Sequence, residues 1–331
     1  MIRVLTFTVL AACCWSGPAT GAAEGPATCA SILDDASRLA CFDAYFSPVT
    51  DESDTGATTV VEQLVKADLE EGVVAKRIGY EEAVTNQFFA LSPHRLNYVL
   101  PVSYNADSDF SPYGAFGDRF SDTEVKFQVS IKALLADNLW KDSSIWVGYT
   151  QQAWWQLYAE EEASAPFRET NYQPEIFWSV PTDFELFGWR ARTVNLALNH
   201  QSNGRSEPLS RSWNRIKGGI TFDRGPFAAN IETWYRLPED AENDNNPDIT
   251  EYLGRAQLNL AYKQGDQLFA LGIKNSLSSA NRSGVELNWT FPLVENLRGF
   301  VQIYSGYGES MIDAENYTNR IGVGVSLSDW L

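Results

Sequence analysis

Residues 124–133 read "EVKFQVSIKA", and their alternation decides the fold. Val125, Phe127, Val129 and Ile131 fall on one parity, and Lys126, Gln128, Ser130 and Lys132 on the other. Successive side chains of a strand point to opposite faces, so a period of two describes a strand with one apolar and one polar face. The same pattern returns in "RAQLNLAY" (255–262), "GVELNWTF" (284–291) and "RIGVGVSLSDWL" (320–331).

Segments of this kind, bounded by turn residues, number about twelve: near 95–105, 122–136, 143–158, 172–182, 189–203, 212–224, 226–237, 251–264, 266–277, 282–294, 296–308 and 317–330. Most exceed the five or six residues usual in a soluble strand. They are long enough to cross a bilayer at a tilt, which takes about 9–11 residues. Short connections ("DNLWKD", "DRG", "KQGD") alternate with longer polar ones ("EEASAPFRET", "DAENDNNPDIT"). An even strand count with alternating loop lengths predicts an all-β fold, a transmembrane antiparallel β-barrel of the outer-membrane kind. A soluble β-sandwich would use shorter strands and would not oppose every apolar face with a polar one.

Charge narrows the partners. Against 43 acidic residues stand 25 basic ones, for a net charge of −18. That balance excludes a nucleic-acid partner, because phosphate backbones need the opposite sign. Residues 1–23 read as an export signal: Arg3, the apolar "VLTFTVLAACCW", then the small residues of "GPATGAA". A lipidation box at Cys13 is the alternative reading of "LAAC". Residues 24–85 form an acidic, helix-like periplasmic extension and linker, and the barrel domain occupies 86–331. In an oxidising compartment Cys29 and Cys41 are expected to form a disulfide, two free thiols being the alternative.

One stretch carries chemistry: "NHQSNGRSEPLSRSWNRI", residues 199–216. Val194, Leu196 and Leu198 share parity with His200 and Ser202, so both polar residues are predicted to face outward, on the lipid-facing wall near a membrane rim. On the following segment Asn214 shares parity with Ile216 and Ile220. A serine hydroxyl becomes a nucleophile when a histidine takes its proton, and a third group must hold the imidazole tautomer. A neutral asparagine suits that third role beside lipid, where a carboxylate is costly to keep charged. The Gly204 N–H is placed to meet a developing oxyanion. The plainer reading makes His200 and Ser202 ordinary rim residues at a strand end. His94, in "SPHRL", has no visible partner and reads as an exposed or periplasmic-rim residue. Lys126, Lys132, Arg215, Lys217, Arg255 and Glu286 are expected to fill the lumen, as they would in a passive pore. A porin-like channel and a secreted lipase are therefore the rival classes.

With those residues in view, the chain resembles the outer-membrane phospholipase A family. The resemblance rests on "NHQSNGRSEPLSRSWNRI", "YTQQAWWQLY", "SAPFRETNYQPEIF", "NPDIT" and "YSGYGESMID", taken in that family's set, over residues 86–331. It implies a twelve-stranded barrel in the bacterial outer membrane. It further implies a calcium-dependent homodimer that hydrolyses acyl ester bonds of phospholipids and lysophospholipids. Carried over, Ser202 is the nucleophile, His200 the general base and Asn214 its orienting partner, with Gly204 at the oxyanion. The calcium ligands implied are the Arg205 carbonyl, Ser210 and, from a second subunit, Ser164. Gln152 matches a polar residue buried between two barrels. Glu207 stands where the family carries aspartate, which leaves a further calcium position open.

Overall fold

The computed structural model describes residues 34, 38, 72–84, 90–242, 244–294 and 297–327. The export segment, Cys29, Cys41 and the C-terminal Trp330–Leu331 lie outside these residues. The chain divides into two compact units, residues 1–61 and 62–331. In the first, the Arg38 N–H donates to the Asp34 carbonyl at 2.9 Å.

The second unit opens with helix α1 (Val73–Val84). Its strands are β1 (Leu91–Pro93), β2 (Tyr98–Asn105), β3 (Thr123–Ala136), β4 (Ser144–Trp155), β5 (Phe167–Leu186), β6 (Trp189–Ser202) and β7 (Ser212–Arg224). There follow β8 (Phe227–Arg236), a short helix α2 (Ile249–Tyr252), β9 (Ala256–Gln264), β10 (Gln267–Asn275), β11 (Ser283–Val294), β12 (Leu297–Gly306) and β13 (Thr318–Ser326). From β2 to β13 each strand pairs antiparallel with the next, and β13 pairs back to β2. The sheet is a closed barrel of 12 strands. The stub β1 lies against β3 at Ile131–Ala133, beyond the stretch of β3 that β2 covers, so it prolongs the β2 side of β3.

Period two produces this barrel as expected. Outward residues are large, apolar and exposed, such as Leu196 at 52% and Leu287 at 49%. Inward residues are polar and buried, such as Lys126, Gln128 and Ser130. Two segments depart from the expected bounds. Strand β5 runs 20 residues rather than 172–182, because Arg168, Glu169 and Asn171 are buried strand residues, not loop. Residues 249–252 are a helical turn, so β9 starts at Ala256 and Arg255 lies exposed at its mouth, not in the lumen. One end of the barrel has tight turns: Gly265, with φ of 57°, bridges β9 to β10 in a two-residue hairpin that wants positive φ at its first central position. The other end carries the long loops, which in such barrels face outside the cell.

Both mouths are covered. At the long-loop end, residues 308–314 between β12 and β13 fold inward and are buried. Met311 and Ala314 pack on Trp213, Trp234, Ile249 and Leu253. Glu309 accepts from Lys126 at 2.8 Å and from Arg320 at 2.9 Å, while Asp313 accepts from Arg168 at 2.6 Å. At the tight-turn end, α1 packs Val74 against Ala228, Ala261 and Leu268. Its first N–H groups, at Val74 and Ala75, donate to the Asp223 carboxylate at 3.2 and 3.1 Å, a favourable placing of negative charge at a helix N-terminus. Its Glu81 pairs with Lys132 at 2.7 Å. Between the two covers lies a polar cavity of about 870 Å³. His94 lines it and is neither exposed nor without a partner: it bonds Glu175 at 2.6 Å and stacks on Phe177.

The outward wall gives a direct test. Leu196→Arg, mid-strand on β6, should destabilise the barrel by about 2–4 kcal/mol in lipid, the cost of a cation near the bilayer centre. Urea unfolding in bilayers reads this, and a loss below about 0.5 kcal/mol would mean Leu196 does not face lipid.

Candidate active site

The site is built by two neighbouring strands. Along β6, Val194, Leu196, Leu198 and His200 are exposed, while Ala197, Asn199 and Gln201 are buried. Opposite them on β7, Asn214 and Ile216 face outward, and Trp213, Arg215 and Lys217 inward. The register pairs His200 with Asn214 and Ser202 with Ser212. Cross-strand partners share a face, so His200, Ser202 and Asn214 sit together on the outer wall at the long-loop end. His200 Nδ1 lies 2.9 Å from Asn214 Oδ1. An amide oxygen only accepts, so a hydrogen bond in this arrangement takes its proton from His200 Nδ1, the tautomer that leaves the Nε2 lone pair free. Ser202 Oγ makes no hydrogen bond to a described residue.

Behind this wall the inward residues fix the two strands to each other. Arg215 donates through Nε to Asn199 Oδ1 at 3.0 Å, and the Trp213 indole donates to Gln201 at 3.0 Å. The Arg215 guanidinium stacks 4.0 Å over the Trp213 ring. Alternation thus gives the outer face chemistry and the inner face its support.

The β6–β7 loop, residues 203–211, hangs on Asn203. Its side-chain oxygen accepts from the Arg205 and Arg211 N–H groups at 3.3 and 2.9 Å, and its amide donates to the Leu209 carbonyl at 2.8 Å. Arg205 donates to the Phe167 and Arg168 carbonyls at 2.7 and 2.6 Å, tying the loop to β5. Gly204 has φ of 64°, and a Cβ there would stand 3.0 Å from the Tyr172 ring, so both backbone angle and space require glycine. Its N–H has no partner among the described residues.

The remaining sequence-predicted residues separate. Asn245 donates to Ser210 Oγ at 2.7 Å and lies 3.4 Å from Glu207 Oε1, which gathers those two oxygens beside the Arg205 loop. Ser164 is exposed on the β4–β5 loop, in a left-handed conformation with φ of 56°. Gln152 is a correction. It registers with Gln128 and Asn171, lines the lumen, and so cannot meet a second barrel through the outer wall. Its neighbour Gln151 faces outward and stands opposite Tyr172, which stands opposite Ser202. Asn203, Asn245 and Gln151 were not singled out in the sequence, and Glu239 was not either: it accepts from Asn214 Nδ2 at 3.2 Å.

Among the described residues no cluster of three or more histidine, cysteine or carboxylate side chains is placed to hold a metal. The oxygens of Arg205, Ser210 and Glu207 are nonetheless of the kind calcium takes: carbonyl, hydroxyl and carboxylate.

Fold and site define a class: a twelve-stranded barrel of the bacterial outer membrane with a histidine–asparagine pair and a serine on its outer wall. The profile of the Phospholipase A1 family matches residues 74–327. Phospholipase A1 of Escherichia coli strain K12 is 38% identical over 247 residues, spanning 73% of this chain and 82% of that protein. The solved outer membrane phospholipase A of Escherichia coli shares 36% identity at a TM-score of 0.69, covering 73% of this chain and all of that one. A Salmonella typhi outer membrane phospholipase, solved as a dimer with bound calcium, shares 35% identity at a TM-score of 0.69, covering 73% of this chain and 94% of that one. The chain belongs to the phospholipase A1 family and is a phospholipid ester hydrolase of the outer membrane.

Proposed function

We propose that the chain cleaves acyl ester bonds of phospholipids and lysophospholipids with Ser202 as nucleophile, His200 as general base and Asn214 as the group that holds His200. The observation that carries this reading is the His200 Nδ1 to Asn214 Oδ1 contact of 2.9 Å, on the same outward row as Ser202. His200 Nε2 takes the Ser202 proton as Oγ attacks the ester carbonyl carbon. The oxyanion that forms is met by the Gly204 N–H, and the imidazolium then gives its proton to the departing alcohol. Water, deprotonated by the same nitrogen, releases the fatty acid and restores Ser202. A serine–histidine hydrogen bond that is open without substrate closes when the ester is bound. The site's place on the wall explains its substrate: an acyl chain lying in the membrane reaches Ser202 beside Leu198 and Ile216 without leaving apolar surroundings.

The Arg205 carbonyl, Ser210 and Glu207 are the residues that would hold calcium, with Ser164 of a second copy completing the set in a homodimer. The Salmonella typhi relative, a dimer with bound calcium, supports this part of the reading. When bound, the cation would supply electrostatic stabilisation of negative charge beside Gly204. A dimer formed through this wall would bury Gln151 rather than Gln152.

The test is hydrolysis of phospholipid by the purified, detergent-solubilised chain, with calcium and with a chelator, alongside its oligomeric state. Chelation is expected to lower turnover by about a hundredfold or more and to shift the protein toward monomer. Equal turnover with chelator would remove calcium from the reading. An active monomer would remove the dimer.

A further inference from the structure

We propose that Glu239 is a positioning residue of this site, fixing which end of the Asn214 side chain faces His200. The inference rests on the roles read above for Ser202, His200 and Asn214. An asparagine side chain has two ends of nearly equal size and opposite chemistry: Oδ1 accepts and Nδ2 donates. With Oδ1 toward His200, the imidazole is protonated on Nδ1 and offers Nε2 to Ser202. Turned over, the amide would present Nδ2, impose the other tautomer, and put a proton on the nitrogen that must accept one. Nothing within the His200–Asn214 pair itself settles which arrangement holds.

Glu239 settles it. Its carboxylate is an acceptor only, and it receives Asn214 Nδ2 at 3.2 Å. Turning the amide over would set Oδ1 against that carboxylate, an approach of two acceptors with no proton between them. The bond also draws electron density toward Oδ1, which strengthens it as acceptor for the imidazole. The backbone holds Glu239 there. The Leu237 N–H donates to the Asn214 carbonyl at 2.8 Å, and Pro238 restricts the residue before it to extended geometry. Arg236 anchors the far side of the loop to Asp244 at 2.6 Å and to the Pro247 carbonyl at 2.9 Å.

Two measurements on the full chain in detergent micelles test this. The first is steady-state hydrolysis by Glu239→Ala and Glu239→Gln, with Asp240→Asn as a charge control beside it. Glu239→Ala is expected to lower kcat about tenfold and to leave KM within about twofold, since the carboxylate acts through Asn214. Glu239→Gln, which keeps one acceptor, should recover about a third of wild-type kcat, and Asp240→Asn should match wild type. The second is the nitrogen NMR spectrum of histidine-labelled protein. The chain has 2 histidines, and His94, in the lumen, serves as the internal reference. Wild type should show His200 as the Nδ1–H tautomer, and Glu239→Ala should add the Nε2–H form with His94 unchanged. A kcat within twofold of wild type overturns the proposal, and so does a lowered kcat with an unaltered His200 tautomer. Hydrolysis that survives Ser202→Ala would instead break the underlying triad reading. A Ser202→Ala null beside a fully active Glu239→Ala would break only the role of Glu239.

Discussion

Ser202→Ala is expected to lower kcat for phospholipid hydrolysis by about 10⁴–10⁶-fold while the barrel folds normally, with detergent binding and urea unfolding unchanged. The hydroxyl makes no hydrogen bond to a described residue, so its loss leaves no buried group unpaired, and the effect falls on chemistry alone. His200→Ala should cost a similar factor, because without a base the hydroxyl stays protonated at neutral pH. Residues that act as one unit do not add: Ser202→Ala with His200→Ala should be no slower than either alone. Asn214→Ala should cost less, about 10²-fold, since Asn214 contributes orientation and no charge. The diagnostic readout is a burst of acyl-enzyme in wild type, absent from Ser202→Ala. Turnover within tenfold of wild type in Ser202→Ala would assign the nucleophile elsewhere.

The barrel was legible because one period does two things: it makes strands and it sorts faces. Where both parities are polar, the signal fades. Arg168, Glu169 and Asn171 look like loop residues in "SAPFRETNY", yet each is buried and bonds residues distant in sequence: Arg168 to Asp313, Glu169 to Asn203 and Asn171 to the Met311 N–H, so β5 begins before its pattern becomes readable. "TQQAWW" offers no contrast between its two parities, so the sequence does not say which glutamine faces outward; only the pairing with Val129 on one side and Tyr172 on the other shows Gln151 to be outward. His200, Ser202 and Asn214 were legible because apolar neighbours on both strands report their direction. Glu239 was not, since a loop residue has no parity and its contact with Asn214 depends on how β8 turns over. The partner of His94 was hidden for a simpler reason: Glu175 lies on β5, and pairing within the lumen obeys no spacing along the chain.

The polar plug that separates this barrel from an open pore carries the second large effect. Arg168 is fully buried and donates to Glu124 through Nε and Nη2, both at 2.9 Å, and to Asp313 through Nη1 at 2.6 Å. Arg320 joins Glu124 to Glu309, and Lys126 closes the chain of charges on Glu309. Burial alone would raise the Glu309 carboxyl, but Arg320 and then Lys126 outweigh it and hold it at about 2. An unfolded glutamate titrates near 4.3, so the pairing of Glu309 stabilises the fold above that pH and is lost as pH falls toward about 2. The plug should therefore stay seated through mild acid. Arg168→Met removes the cation that joins the plug's Asp313 to the wall's Glu124 and leaves the buried Asp313 without an ionic partner. Breaking a buried pair in this way costs about 3–5 kcal/mol. Unfolding in urea should register that loss, and the loosened plug should admit ions, giving conductance in a planar bilayer where wild type gives none. Hydrolysis should continue below the new midpoint, because the Arg168 side chain touches none of Ser202, His200 or Asn214, and its carbonyl still accepts from Arg205. Neutralising the orphaned partner with Asp313→Asn in the same chain should return most of the stability, since it is the unpaired charge that costs and Glu124 keeps Arg320. A silent bilayer and an unchanged midpoint for Arg168→Met would mean that apolar packing of Met311 on Trp213 and Trp234, not the charge chain, closes the barrel.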